Sequence, residues 1–195
     1  TPFGGGGRIV SDDDSVPDAV VRYTYTAQWG HVSVAGIIRQ LKYDDTIAID
    51  DSTSSTGVSI NSKIKVGRQD DVRLSLTTGS GLGRYVALNT VSGAALDANG
   101  KIKTIDSTAY SVAYRHVWNA KMRSSFSYSS LSVDNDIAFT GTSATASTSS
   151  ISANVLYSPT KKITVGSEVK QATREIESGA EGDMTRVQFS MKYTF

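Results

Sequence analysis

The 195-residue sequence has no cysteine, two histidines and three prolines. Without cysteine there is no disulfide framework, no thiolate nucleophile and no thiolate-bound metal. So few prolines argue against a disordered linker. No apolar run reaches the roughly 18–20 residues of a membrane-spanning helix. The opening TPFGGGGRIV has neither an initiator Met nor the apolar core of a signal peptide. Charge of one sign is lacking too: the formal net charge is +1, so no bulk charge asks for nucleic acid. No stretch has a helical period.

What is present is a rhythm of two. Apolar and polar residues alternate in nine runs, beginning with Val21, Tyr23, Tyr25, Ala27, Trp29 and ending with Val187, Phe189, Met191, Tyr193, Phe195. Between them fall runs centred near residues 35, 62, 74, 111, 125, 154 and 166. Tyr, Ser and Thr are frequent, as suits strands. The connections sort themselves as well. Gly30–His31, Gly67 to Asp71, Val117 to Ala120 and Ser158 to Lys161 are tight turns. The stretches of about 41–56, 79–106, 132–149 and 172–183 are long, and long and short alternate without exception. An up-and-down membrane barrel does this, with short periplasmic turns and long extracellular loops. A Greek-key sandwich has no reason to.

The fold expected is therefore all-β: a transmembrane antiparallel up-and-down β-barrel, one domain over 1–195, with residues 1–17 as a further extracellular loop. Trp29, Trp118, Tyr157, Tyr193 and Phe195 gather beside the tight turns, where a periplasmic aromatic girdle belongs. If short turns are periplasmic, the last strand runs down and the first also starts outside. Nine strands with that N-terminus leave an edge unpaired, which lipid does not tolerate. The chain is expected to be the C-terminal part of a longer barrel.

Charge is segregated. Parity puts Arg22, Arg39, Lys63, Lys65, Arg73, Arg115, Arg123, Lys170, Arg186 and Lys192 on the polar face of the strands. Glu168 is the one acid expected there; the other eighteen fall in loops, turns or strand ends. Lys or Arg facing lipid costs about 2–4 kcal/mol at the midplane, so these side chains belong to a lumen. A basic lumen concentrates anions, and Arg can grip a carboxylate with two hydrogen bonds. The expectation is an anion-favouring pore; the alternative is that some of these basics pair with acidic loops folded into the lumen, or merely solvate the wall.

Within the longest loop, GSGLGRYVALN carries Arg84 and Tyr85, and two readings stay open: it folds inward and narrows the pore, or it stands exposed. G-S-G-L-G does not fit the dinucleotide fingerprint. DANG reads as a turn, not a calcium loop. The patches SDDDS, YDD, IDDS and VDND read as solvated charge before divalent-cation sites. His31, in a tight turn, and His116, near a strand end, have no Ser or Asp partner at a telling spacing, so no catalytic residue, metal or cofactor is expected. The alternatives weighed are a soluble or surface β-sandwich acting as an adhesin or lectin, and, behind it, a barrel enzyme.

The segments TPFGGGGRIVSDDDSVPD, IIRQLKYDD, GSGLGRYVALN, YSVAYRHVW, ANVLYSP and ESGAEGDMTRVQFSMKYTF, in this order, resemble the DcaP-like porins of Gram-negative bacteria, over essentially the whole chain. The resemblance implies a sixteen-stranded outer-membrane barrel assembling as a homotrimer. It implies passive uptake of small anionic solutes, dicarboxylates among them. The partners expected are the lipid bilayer with its lipopolysaccharide, those solutes, and the barrel assembly machinery that reads the C-terminal strand; nucleic acid is not among them.

Overall fold

The structure, a computed structural model, describes residues 16–44, 47, 49–86 and 90–195. Most of the 1–17 segment, with its SDDDS patch, Asp45 of YDD and residues 87–89 of the long loop lie outside the described residues.

In chain order the elements are β1 (Ala19–Ala27), β2 (Gly30–Asp44), β3 (Asp50–Val66), β4 (Asp70–Ser80), α1 (Gly83–Val86), β5 (Ala94–Leu96), β6 (Ile102–Thr104), β7 (Asp106–Val117), β8 (Met122–Asp134), α2 (Ile137–Thr140), β9 (Thr145–Tyr157), β10 (Ile163–Ile176) and β11 (Glu181–Tyr193). Nine of the strands form one antiparallel meander in the order β1-β2-β3-β4-β7-β8-β9-β10-β11. β1 and β11 each have one neighbour, so the sheet is open. Among the described residues there is no second sheet packed on it, as a sandwich would require; β5 and β6 form only a small hairpin. Neither that hairpin nor the helical turns α1 and α2 is visible in the two-residue rhythm, because each is too short to set a period.

The ladders run further than the alternation suggests. Asp44 lies opposite Asp50, Asp106 opposite Asp134 and Glu175 opposite Glu181. The stretches expected as loops at 41–56 and 172–183 are thus largely strand, and 132–149 is strand at both ends with α2 between them. At this end of the sheet charged residues sit on both faces, so pairing continues after the apolar signal has stopped. At the other end the turns are tight. Gly30 leads out of the first of them at φ +142°, and a Cβ there would lie 1.9 Å from the Lys63 carbonyl oxygen.

Register sorts the side chains into two faces. One carries Val34, Ile60, Leu74, Val112, Phe126, Val155 and Val169. Even on these interior strands the side chains stay open: Phe126 is 50% exposed, Val155 48% and Leu74 44%. A continuous uncovered apolar face of this kind suits lipid, not water. The opposite face is polar, and the buried core lies upon it. Residues 81–86 and 90–105, between β4 and β7, fold back over that face at the end away from the tight turns. Val91, Ala95 and Ile105 pack on Leu131 and Val133 of β8. Ala94, Leu96 and Ile102 pack on Leu41, Tyr43 and Ile49. Leu82 is fully buried, seated where Gly57 and Gly79 face each other across β3 and β4.

A Cβ on Gly57 would fall 2.6 Å from a Leu82 methyl. Gly57→Val should therefore unseat Leu82, at a cost of about 2 kcal/mol of lost burial. Limited proteolysis of the reconstituted protein should show faster cleavage within 81–105 while the heat-modifiable gel mobility of a folded barrel persists.

Candidate functional site

All ten basic residues singled out in the sequence share the polar face, because each pairs through an unbroken chain of register with the others' rows. The ladders gather most of them into two groups. Lys63, Lys65, Arg73 and Arg115 meet on β3, β4 and β7. Lys170 and Arg186 stand opposite each other on β10 and β11. Between the groups the same rows are neutral: Ala113, Ser127 and Ser152 in one, Ser111, Ser129 and Ser150 in the next. Arg123 and Lys192 lie nearer the tight turns. Arg22 donates to Ser33 Oγ at 3.1 Å. Among the described residues Lys65, Arg123, Lys170 and Lys192 have no ion-pair partner.

The first group holds an acid that parity reasoning put in a turn. Asp71 is 1% exposed. Its Oδ1 accepts from Arg73 Nε at 2.8 Å. Its Oδ2 lies 2.5 Å from Arg115 Nη2 and 3.9 Å from Lys63 Nζ, contacts that are ionic, with no aligned hydrogen bond on that oxygen. Glu168 is therefore not the sole acid of this face. The reason is that β4 begins at Asp70, two residues before its first apolar side chain, so Asp71 is already in register and points inward. A buried carboxylate needs partners to offset its desolvation, and here it has three. Four cations and one carboxylate leave the group strongly positive. Glu168 accepts from Arg186 Nη2 at 3.3 Å and partly neutralises the second group.

Arg174 was missed by the sequence reading. It extends the parity of Lys170 by four residues and pairs with Thr148 and Gly182, on the same face. Continuing the strand past the apolar run would have found it.

Arg39 has a different environment. It is buried, donates from Nε to Asp18 at 3.3 Å and from Nη1 to the Gly81 carbonyl at 3.1 Å, and lies 5.5 Å over the Tyr85 ring. The Tyr85 hydroxyl donates to the other Asp18 oxygen. That hydrogen bond, and then partial burial, raise the Tyr85 pKa and keep the phenol neutral. Three separate segments are thus tied together, and the 81–105 segment is held against the wall. The described residues of this loop lie on the polar face. Arg84, in α1, is exposed. At the tip of the small hairpin, DANG is a turn: Asp97 Oδ1 accepts from the Asn99 and Lys101 amides, and Gly100 has φ +74°.

The tight-turn rim is aromatic. Trp29, Trp118, Tyr157, Tyr193 and Phe195 are all more than 40% exposed there. Tyr193 and Phe195 meet edge to face at 5.1 Å. His116 has the acidic partner that spacing could not reveal, Asp70, with Nδ1 to Oδ2 at 2.7 Å. β4–β7 pairing brings the two together. Tyr114 and the Val117 amide donate to the same carboxylate, and Trp118 stands on the His116 ring at 4.3 Å. This is a capped cluster on the apolar face, and among the described residues no serine or threonine hydroxyl is hydrogen-bonded to the imidazole. His31 is the second residue of β2, not a turn residue, and lies opposite Lys63 on the polar face. No group of three or more His, Asp or Glu among the described residues is placed to hold a metal.

Arg39→Ala removes an ion pair, a hydrogen bond and a ring contact at once. The expected cost is roughly 2–4 kcal/mol of local stability. Hydrogen exchange of the folded protein should show protection lost across 81–105 while β7–β10 stay protected; Arg39→Lys should not restore it, since a compact ammonium lacks the planar fork that spans Asp18 and the Gly81 carbonyl while lying over the Tyr85 ring.

The model of a family described as DcaP outer membrane protein matches residues 6–195. A solved crystal structure, that of the outer membrane channel DcaP of Acinetobacter baumannii, has the same fold: TM-score 0.84 at 22% identity, over 94% of this chain and 53% of that one. The chain thus spans about half the length of that channel. No match was found among curated proteins.

Proposed function

We propose that this chain, which belongs to the DcaP outer membrane protein family, supplies about half the wall of a water-filled diffusion channel that passes small anions, dicarboxylates among them. The observation that carries the reading is the shared face of Arg22, Arg39, Lys63, Lys65, Arg73, Arg115, Arg123, Lys170, Arg186 and Lys192, with the apolar side chains turned the other way. Fixed positive charge beside low-dielectric walls raises the local concentration of anions. Grip must stay weak enough for release, which half-exposed, partly paired cations provide. No bond is made or broken, and no cofactor is needed.

On this reading residues 81–105 narrow the lumen, with Tyr85 fixed by its latch and Arg84 presented to the solute. Arg39 serves the loop more than the solute. Trp29, Trp118, Tyr157, Tyr193 and Phe195 sit at the periplasmic interface, where amphipathic rings are favoured. The apolar face meets lipid and, in part, further copies in a trimer.

Reversal potentials in planar bilayers under a KCl gradient test this. Chloride should be preferred over potassium. Replacing Lys65 and Arg123 together by Gln should lower that preference about two- to five-fold, the worth of two screened charges. A wild-type channel that prefers potassium would sink the reading.

A further inference from the structure

We propose that the wall between the two basic groups is a binding track for hydroxylated carboxylates, anions that carry alcohol groups beside their charge. The inference rests on the anion reading above and names the solute class within it.

The observation is a run of hydroxyls placed where the charges stop. Ser75, Ser111, Ser129 and Ser150 lie side by side on four adjacent strands, a single row across the wall. Strand spacing of about 4.8 Å makes this row roughly 14 Å wide. Below it Ser127 and Ser152 share a hydrogen bond at 2.7 Å, and within it Ser129 and Ser150 share one at 2.9 Å. Each such pair leaves acceptor lone pairs and at least one rotatable proton to offer.

Two cavities open along this row. One, of about 390 Å³, runs from the latched Tyr85 past Ser75 and Ser111 to Ser129. The other, of about 380 Å³, shares Ser129 and Thr148 with the first and adds Ser150, Lys170 and Arg174. Arg174 spends its Nε on Thr145 at 2.9 Å, so its terminal nitrogens remain to meet a solute. Asp183, at the edge of the second cavity, has the opposite parity and is held by Thr173 at 2.8 Å. Cations and hydroxyls therefore converge within one space of ligand size.

The two kinds of group reward different features. Lys170 and Arg174 attract any carboxylate. The serines add nothing for a bare alkyl chain, which cannot replace the water it displaces. A solute with its own hydroxyls exchanges those hydrogen bonds without loss. Neutral residues in this row also keep the anion from being held by charge on every side, which would slow its exit.

The test uses the full-chain protein in planar bilayers, with succinate and L-tartrate as probes. They have the same carbon chain and the same charge, and tartrate adds two hydroxyls. Bi-ionic reversal potentials give their permeability ratio. Tartrate should be favoured about three- to ten-fold, the worth of roughly one net hydrogen bond. Ser129→Ala with Ser150→Ala should bring the ratio close to one. Lys170→Gln should lower the permeability of both dianions and leave the ratio standing. A wild-type ratio at or below one, or a preference that the serine substitutions leave intact, overturns the proposal. The chloride–potassium potential, read in the same membranes, separates the two levels. An anion-selective channel with no tartrate preference overturns this inference alone; a potassium-selective one overturns the anion reading and takes this with it.

Discussion

Everything in this structure depends on the backbone ladder. In hydrocarbon no water is available to an N–H or C=O, and each unpaired group costs several kcal/mol. A strand crossing lipid must therefore be paired along its length, and pairing locks a two-residue alternation of side chains. From Tyr23 opposite Val34 to Val165 opposite Met191, nine strands keep one register. Once it is locked, the ten basic residues of the wall, from Arg22 to Lys192, go to one face. A slip of a single residue in one strand would turn that strand's basic side chains into the apolar surroundings of residues such as Phe126 and Val155.

The ladder also explains where burial occurs. A single sheet whose apolar face meets lipid has no core of its own there. The buried hydrophobic side chains lie instead on the polar face, under the 81–105 segment, where Leu82, Ala95 and Ile105 exclude water. Apolar packing alone would leave this segment free to slide over a smooth wall. The glycine pair at 57 and 79 provides a seat for Leu82, and the Arg39, Asp18 and Tyr85 contacts add direction. A wall that is otherwise uniform gains a defined feature, and with it a defined division between charged and hydroxyl-lined surface.

Much of this was legible in the sequence, and the failures share one cause. Alternation located nine strands and the parity of ten basic residues. It failed where side chains on both faces are polar. Asp71 seemed a turn residue because the apolar rhythm of β4 starts at Val72, although pairing starts at Asp70. Arg174 lay past the last apolar residue of its run. Asp44, Asp134 and Glu181 looked like loop because charge at a strand end carries no periodic signal. The Asp70–His116 contact joins residues 46 positions apart, and no spacing rule reaches across the β4–β7 crossover.

What the sequence determined by itself is the architecture: period two, alternating short and long connections, and segregated charge leave few folds other than a membrane barrel, and they assign each residue to a face. What only the tertiary structure decided is adjacency along that face. Which cations share Asp71, which serines stand in one row, and whether 81–105 lies on the wall or away from it all follow from register between strands distant in the chain. Alternation is a property of one strand, readable locally. Register is a property of two, and it comes into being only when they pair.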